Sequence, residues 1–364
     1  MSNRETKKTL QWIIPLSYVF VCCYFLLFTG CNFFNNNERT ETEFKAKLYR
    51  AQQCILKGKI DDAEKTLNDM KVETKKLGQD SYLVGWWHFL RGEICTEKEL
   101  PEQAEDEYVK ALTIFKRDGT KPNWVGATYV KYTSVLYQLG DLEKAKIYIS
   151  RGLSDLTTSK YAEVKSDDGE LLRYRVRLLL LQAEILICED HLDEADALLQ
   201  KIVPNLNAFP HGKYEAAKFS NLLGVLNFKQ GHFPDADICF TEALKIVEEN
   251  RLEEYIETGS IVFRLGIINY KRRKFDQAIV YFQKANKIYE SRPPGWNDLD
   301  YQTKIWLGRA YFKKQDYPKA RCYYESVIDS LEALPRLSEE RRHMLKIAIS
   351  ERKNSLREIE DSHR

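Results

Sequence analysis

The sequence predicts an all-α protein built as a solenoid: about seven helical hairpins stacked side by side and closed by one C-terminal capping helix. Three periodic observations predict it. An alanine recurs as Ala63, Ala104, Ala145, Ala195, Ala236, Ala278 and Ala320, in steps of 41, 41, 50, 41, 42 and 42 residues. Twelve residues before each stands another small side chain: Ala51, Gly92, Thr133, Ala183, Gly224, Gly266 and Gly308. Four residues after each stands a large one: Leu67, Tyr108, Ile149, Leu199, Phe240, Phe282 and Tyr324. A fixed period of this size marks stacked units, none of which can bury its apolar face alone.

Each unit reads as helix, turn, helix. From Asn221 to Phe228 apolar residues run up to a break at Gln230-Gly231, and Ala236, Cys239, Phe240, Ala243, Leu244 and Ile246 follow at helical spacing. The break carries Gly58, Gly140 or Gly231, residues free to end a helix in the left-handed conformation. Elsewhere it is polar, as at Glu189-Asp190 and Lys314-Gln315. Pro101, Pro234 and Pro318 sit shortly after it, where proline can open the next helix. An apolar residue usually stands three before the alanine, as in Phe233, Phe275 and Tyr317. The small pair lets two helices approach closely. The large residue one turn later is expected to fill the space between neighbouring units.

This order of small, small, large and small resembles the tetratricopeptide repeat (TPR). Gly224, Ala236, Phe240 and Ala243 fit it, as do Gly266, Ala278, Phe282 and Ala285, and Gly308, Ala320 and Tyr324. The period of 41–42 resembles the longer-repeat members, such as the kinesin light chains and bacterial peptide-sensing regulators. The resemblance implies a right-handed superhelical solenoid of about seven TPR-like hairpins plus the cap. Repeats one to three are assigned to residues 44–155 and repeats four to seven to 171–330. The 50-residue step is assigned to a polar loop over 156–170, and 331–364 to the capping helix and tail. There Ser338 is the expected N-cap, with Leu345, Ile349, Leu356 and Ile359 as the packing face.

The first 30 residues differ from the rest. Arg4, Lys7 and Lys8 precede an apolar run from Ile13 to Phe28, which ends in Thr29-Gly30-Cys31. A basic start, an apolar core and small residues before its end describe an export signal or N-terminal membrane anchor. Gly30-Cys31 resembles the end of a bacterial lipoprotein signal, which implies lipidation at Cys31, although Phe28 stands where the motif has leucine. Residues 31–43 then form a tether. The alternative is an uncleaved anchor, since Ile13–Phe34 could just span a bilayer core of roughly 30 Å. Both readings place the repeats outside the cytoplasm, in a bacterial cell envelope, because the positive residues come first.

Without residues 1–30 the chain carries 53 basic and 53 acidic residues. No net field points to nucleic acid as a partner. Cys54, Cys95, Cys188, Cys239 and Cys322 fall one per unit and are expected as buried free thiols. No Cys or His spacing suits a metal, and no cofactor motif or catalytic pattern occurs among the six histidines and the many carboxylates. The chain reads as a binding protein without enzymatic chemistry, metal or cofactor.

In the last three units an aromatic and a lysine follow the glycine at fixed offsets: Phe228-Lys229, Tyr270-Lys271 and Phe312-Lys313. The family resemblance implies that first helices line a concave groove, with Asn221, Val225, Phe263, Ile267, Ile305 and Arg309 also facing it. Asn221 resembles the asparagine that holds peptide backbone in long-repeat members, while Phe263 and Ile305 occupy its place in the next units. One reading is a groove for an extended acidic peptide, with rings for apolar contact and lysines for carboxylates. The other is that the lysines solvate helix ends and the rings pack between units. The function expected is a membrane-anchored TPR scaffold or adaptor that binds a protein or peptide. The alternatives are a peptide-sensing module with an uncleaved transmembrane anchor, and a glycan-capture lipoprotein, which would show a cluster of exposed tryptophans.

Overall fold

The structure, a computed structural model, describes residues 39–78, 81–98, 100–119, 122–157, 169–206, 212–250, 256–290, 298–334 and 337–362. The signal or anchor, Cys31 and most of the tether lie outside these residues, as does most of the 156–170 loop. Among the described residues there is no strand. No helix there is long and apolar enough to cross a membrane.

The chain divides into two compact units, Met1–Ser166 and Asp167–Arg364. In the first, α1 (residues 39–56) pairs with α2 (Ile60–Asp69), which gives way at Met70 to the short α3 (Lys71–Leu77). Next come α4 (Tyr82–Glu97) with α5 (Pro101–Asp118) and α6 (Pro122–Gln138) with α7 (Leu142–Asp155). In the second unit α8 (Glu170–Cys188) pairs with α9 (Leu192–Leu206) and α10 (Lys213–Lys229) with α11 (Phe233–Glu249). There follow α12 (Ile256–Lys271) with α13 (Phe275–Glu290), α14 (Asp298–Lys313) with α15 (Tyr317–Glu332), and the single α16 (Glu339–Ser362). The helix α1 begins inside the stretch read as tether.

All seven turns close with one bond. Three residues past each first helix's end, an N–H reaches back to the carbonyl five residues earlier: Lys59 to Cys54 (2.8 Å), Leu100 to Cys95 (2.9 Å), Asp141 to Leu136 (3.0 Å) and His191 to Leu186 (2.9 Å). His232 to Asn227 (2.8 Å), Lys274 to Asn269 (2.9 Å) and Asp316 to Tyr311 (3.0 Å) continue the series. This Schellman closure needs one left-handed residue just before the donor. Gly231 supplies it at φ 83°, but Asp190, Arg273 and Gln315 hold the same place at φ 60°, 59° and 63°. Asp141 and Asp316 then cap the second helix, accepting from the N–H of Lys144 (3.2 Å) and Lys319 (3.3 Å).

The small–large pattern packs within one hairpin. A Cβ added to Gly224 would lie 2.7 Å from Phe240 Cδ1, and one on Gly266 2.5 Å from Phe282 Cε1. Gly308 sits as tightly under Tyr324, and Gly92 under Tyr108. The large residue therefore does more than fill space between units: it rests on the glycine sixteen positions earlier in its own hairpin. Its far side reaches onward, Phe282 to Trp306 (ring centroids 6.1 Å) and Tyr108 to Tyr132 (6.0 Å). Where the small residue has a Cβ, the large one is aliphatic: Ala51 with Leu67, Thr133 with Ile149, Ala183 with Leu199.

Ion pairs also link successive hairpins along the turn edge. Lys98 pairs with Glu64 (2.6 Å) and Lys144 with Glu105 in the first unit. Lys229–Asp190, Arg272–Asp237 (2.6 Å) and Lys314–Asp276 do so in the second.

The helix α16 packs on α15 and α14. Ser338 Oγ accepts from the Arg341 N–H at 3.3 Å, as an N-cap does. The buried side chains are Met344, Ala348 and Ser355, with Leu345 beside them, whereas Ile349 is 40% exposed. The packing stripe therefore lies to one side of the expected one. None of the five described cysteines is in a disulfide, but only Cys95 is buried, and Cys188 and Cys322 are exposed. Small side chains on an outward face need no burial, so the expectation of buried thiols fails for those two.

Candidate functional site

The first helices α10, α12 and α14 bring the sequence-predicted positions into one unit. Phe228, Tyr270 and Phe312 are half-buried, and each meets edge-on the ring five residues ahead, across its own turn. The centroid distances are 5.3 Å for Phe228–Phe233, 5.4 Å for Tyr270–Phe275 and 5.2 Å for Phe312–Tyr317. These pairs pin both helices to the Schellman turn, and edge-to-face contact is a favoured geometry for aromatic rings.

The three lysines beside them share a spacing but not an environment. Lys229 pairs with Asp190 of the preceding turn. The Lys271 ammonium lies 5.8 Å from the Phe228 centroid and 5.2 Å from that of Phe233, over both rings of the preceding staple. Lys313 is exposed.

Phe263 is 4% exposed and packs against Phe282 (5.8 Å), and Ile305 is equally buried in the next core, so both belong to the interior and offer no groove surface. Asn221 is also buried, and its Oδ1 accepts no hydrogen bond. Arg309 donates from Nε to Glu351 Oε1 of α16 at 3.1 Å while its guanidinium lies 5.0 Å over Trp306. Trp306 also takes the edge of Tyr270 at 5.2 Å. Burial raises the Tyr270 phenol above its ordinary value. Sequence reasoning passed over Trp306 and Glu351 as partners of the predicted residues. The available signal was the 42-residue interval between Arg309 and Glu351, one full repeat.

Val225 and Ile267, also expected to face the groove, are half-buried and again 42 residues apart. With Phe228, Tyr270 and Phe312 they form a file of partly exposed apolar side chains across three successive first helices.

The first unit has a different polar centre. Glu107 on α5 accepts from Arg91 Nε at 3.2 Å and contacts His88 Nδ1 at 2.6 Å, both on α4. Arg91 also donates to Asn68 Oδ1 at 3.0 Å and stacks 4.8 Å from the Trp87 ring centre. Burial pushes the Glu107 carboxyl up, but the hydrogen bond and charge of His88, with Arg91, outweigh it and hold the carboxyl below its ordinary value. Trp86 and Trp87 are each 5% exposed, so the adjacent tryptophans are core residues. Among the described residues no group of three or more His, Cys, Asp or Glu side chains is placed to hold a metal ion.

No family model matches the chain, and no curated protein matches it by sequence. Solved structures do resemble it in fold. The apo form of the quorum sensor NprR from B. thuringiensis superposes at TM-score 0.55 and 15% identity, covering 85% of this chain and 87% of that one. NprR in complex with its cognate peptide NprX gives 0.54 at 16% identity, covering 85% and 88%. A signal-transduction ATPase from Pyrococcus horikoshii with a tetratricopeptide repeat sensor gives 0.50 at 15% identity, covering 80% of this chain and 42% of that one. At these identities the likeness is one of architecture, and the architecture is an all-α, TPR-like array of helical hairpins.

Proposed function

We propose that this chain is a protein- or peptide-binding repeat scaffold, tethered at a bacterial envelope membrane by its N-terminal segment through a lipidated Cys31. It works by binding and not by catalysis. The observation that carries the binding reading is the file of half-buried apolar side chains Val225, Phe228, Ile267, Tyr270 and Phe312 on successive first helices. Partly exposed apolar and aromatic groups held rigidly at a regular interval supply contact area at little entropic cost. Lys271 and Lys313 edge that file and favour an acidic partner.

Crosslinking and mass spectrometry from native membranes would identify the partner. The triple variant Lys229→Glu, Lys271→Glu, Lys313→Glu and the single variant Ile267→Asp should each reduce its recovery. Undiminished recovery with both would remove the groove reading.

The likeness to NprR, whose structure holds a cognate peptide, favours one second reading: a peptide-sensing module with an uncleaved anchor. The intact mass of the mature protein separates the two, because lipidation requires cleavage before Cys31. For a glycan-capture role, the adjacent tryptophans Trp86 and Trp87 are buried, and no exposed tryptophan cluster occurs among the described residues.

A further inference from the structure

We propose that the C-terminal helix α16 docks on the outer face of the second helices α9 and α11 of another copy of this chain. The contact joins an apolar flank bordered by cations to an apolar column bordered by carboxylates.

The column follows from the repeat. Two residues after each ladder alanine of the second unit stand Ala197, Ile238, Val280 and Cys322. All four are exposed, Ile238 at 66% and Val280 at 63%. Exposed apolar residues at a fixed interval on successive helices make one surface, unlike apolar residues scattered singly. Around its α9 and α11 part the charge is one-sided. Asp193, Glu194, Asp235 and Glu242 are exposed there. The two helices together carry eight acidic residues against Lys201 and Lys245. Arg272 and Lys284 neutralise two of the acids, Asp237 and Glu248, from the next hairpin, which leaves an excess of four.

The helix α16 has the opposite sign over its middle. Its buried stripe, Met344, Ala348 and Ser355, holds it to α14 and α15. Beside that stripe Leu345, Ile349 and Leu356 follow at helical spacing, and Ile349 is 40% exposed. Arg342, Lys346, Lys353 and Arg357 border them and are exposed. Arg352 lies within the flank, and its buried Nε meets no acceptor among the described residues. Between Arg341 and Arg357 the one acid is Glu351, which already holds Arg309. The other acids of the helix stand at its ends, Glu339 and Glu340 before, Glu358, Glu360 and Asp361 after. They temper Arg342 and Arg357, whereas Lys346, Arg352 and Lys353 are at least five residues from any of them.

Charge decides the occupant. Two copies of α16 laid face to face would set Lys346, Arg352 and Lys353 against themselves, and like charges oppose such a contact. The acidic face of α9 and α11 is the complementary surface that the chain itself carries. An anionic lipid surface would suit the same cations but would leave the apolar column without a counterpart. Because the two patches differ, the contact is heterologous and links copies into an open chain or a ring.

The test is sedimentation velocity of the full chain in a nonionic detergent. The chain should self-associate, and Kd should rise about tenfold when sodium chloride is raised from about 0.05 to about 0.5 M. The double reversal Lys346→Glu, Lys353→Glu should abolish association, as should Asp235→Lys, Glu242→Lys. Mixing the two variants should restore it, since each then offers the other a surface of opposite sign. Ile349→Ser and Ile238→Ser leave every charge in place, and each should raise Kd about tenfold. A monomeric wild-type chain, association that survives both reversals, or a mixture that stays monomeric while both variants unfold cooperatively would overturn the proposal. So would adsorption to phosphatidylglycerol vesicles that Lys346→Glu, Lys353→Glu removes, in a chain that does not self-associate.

Discussion

Hairpins four and five belong to one unit and meet one packing requirement with different side chains. Hairpin four sets Ala183 against Leu199, and hairpin five sets Gly224 against Phe240. In the second case the ring lies where a Cβ would be. The same division runs through the molecule, with aromatics over Gly92, Gly266 and Gly308 and aliphatics over Ala51 and Thr133. In hairpins four and five the combined volume of the pair is nearly the same, although neither residue alone is fixed. Interiors packed at crystal-like density tolerate such exchanges only in pairs.

Truncation should break the comparison most strongly. Phe240→Ala should cost about 4 kcal/mol and Leu199→Ala about 3 kcal/mol in urea unfolding, since the ring vacates the larger volume. A larger loss at Leu199 would mean that the ring is loosely seated. Gly224→Ala should cost about 2 kcal/mol by overpacking, against the gain in helix propensity. Adding Phe240→Leu should recover most of that loss, because it recreates hairpin four; additive losses in the double variant would refute volume exchange. The reverse change, Ala183→Gly, should also destabilise, by about 1 kcal/mol. In the turns, Arg273→Gly should stabilise by about 1 kcal/mol, as it relieves a left-handed residue with a Cβ. Gly231→Ala should lose a similar amount.

The smallest effect concerns pH. Hairpin two places Glu107 where hairpin five has Cys239, both three residues after the ladder alanine. Because the folded Glu107 carboxyl is held below its ordinary value, it contributes stability above the unfolded pKa of about 4.3. That contribution is lost as pH falls through the folded value. Glu107→Gln should therefore lower stability near neutrality and flatten the acid limb of a pH–stability curve. An unchanged acid limb would show that other carboxylates dominate it.

The array was legible because its determinants are local and repeated. The ladder alanines gave the hairpins, and Gly58, Gly140 and Gly231 gave their turns. The pairing of Gly224 with Phe240 was also present in the sequence, as a fixed sixteen-residue offset. It was missed because each column was read for size separately. The staple rings were legible as residues but not as contacts: Phe228 and Phe233 are five apart, and only the Schellman closure folds that interval into ring contact. Phe263 looked accessible by register, yet Phe282 needed a neighbour and buried it. The cluster of Glu107 with His88 and Arg91 left no local signal, since it depends on α5 folding back along α4.

The ion pairs along the turn edge have a mechanical consequence. Each pair is weak, contributing less than about 1 kcal/mol, and it is screened by salt. Within each unit they act as soft springs down one side of a stack of stiff rods. The opposite edge carries such pairs too, Lys116–Asp155 (2.7 Å) in the first unit and Lys284–Glu248 (2.5 Å) in the second, while the cores between the edges are held by apolar packing. Raising ionic strength should therefore loosen both edges while the cores hold, so that a unit flexes about its cores instead of lengthening. Its curvature becomes adjustable by the surrounding electrolyte while the hairpins themselves stay rigid.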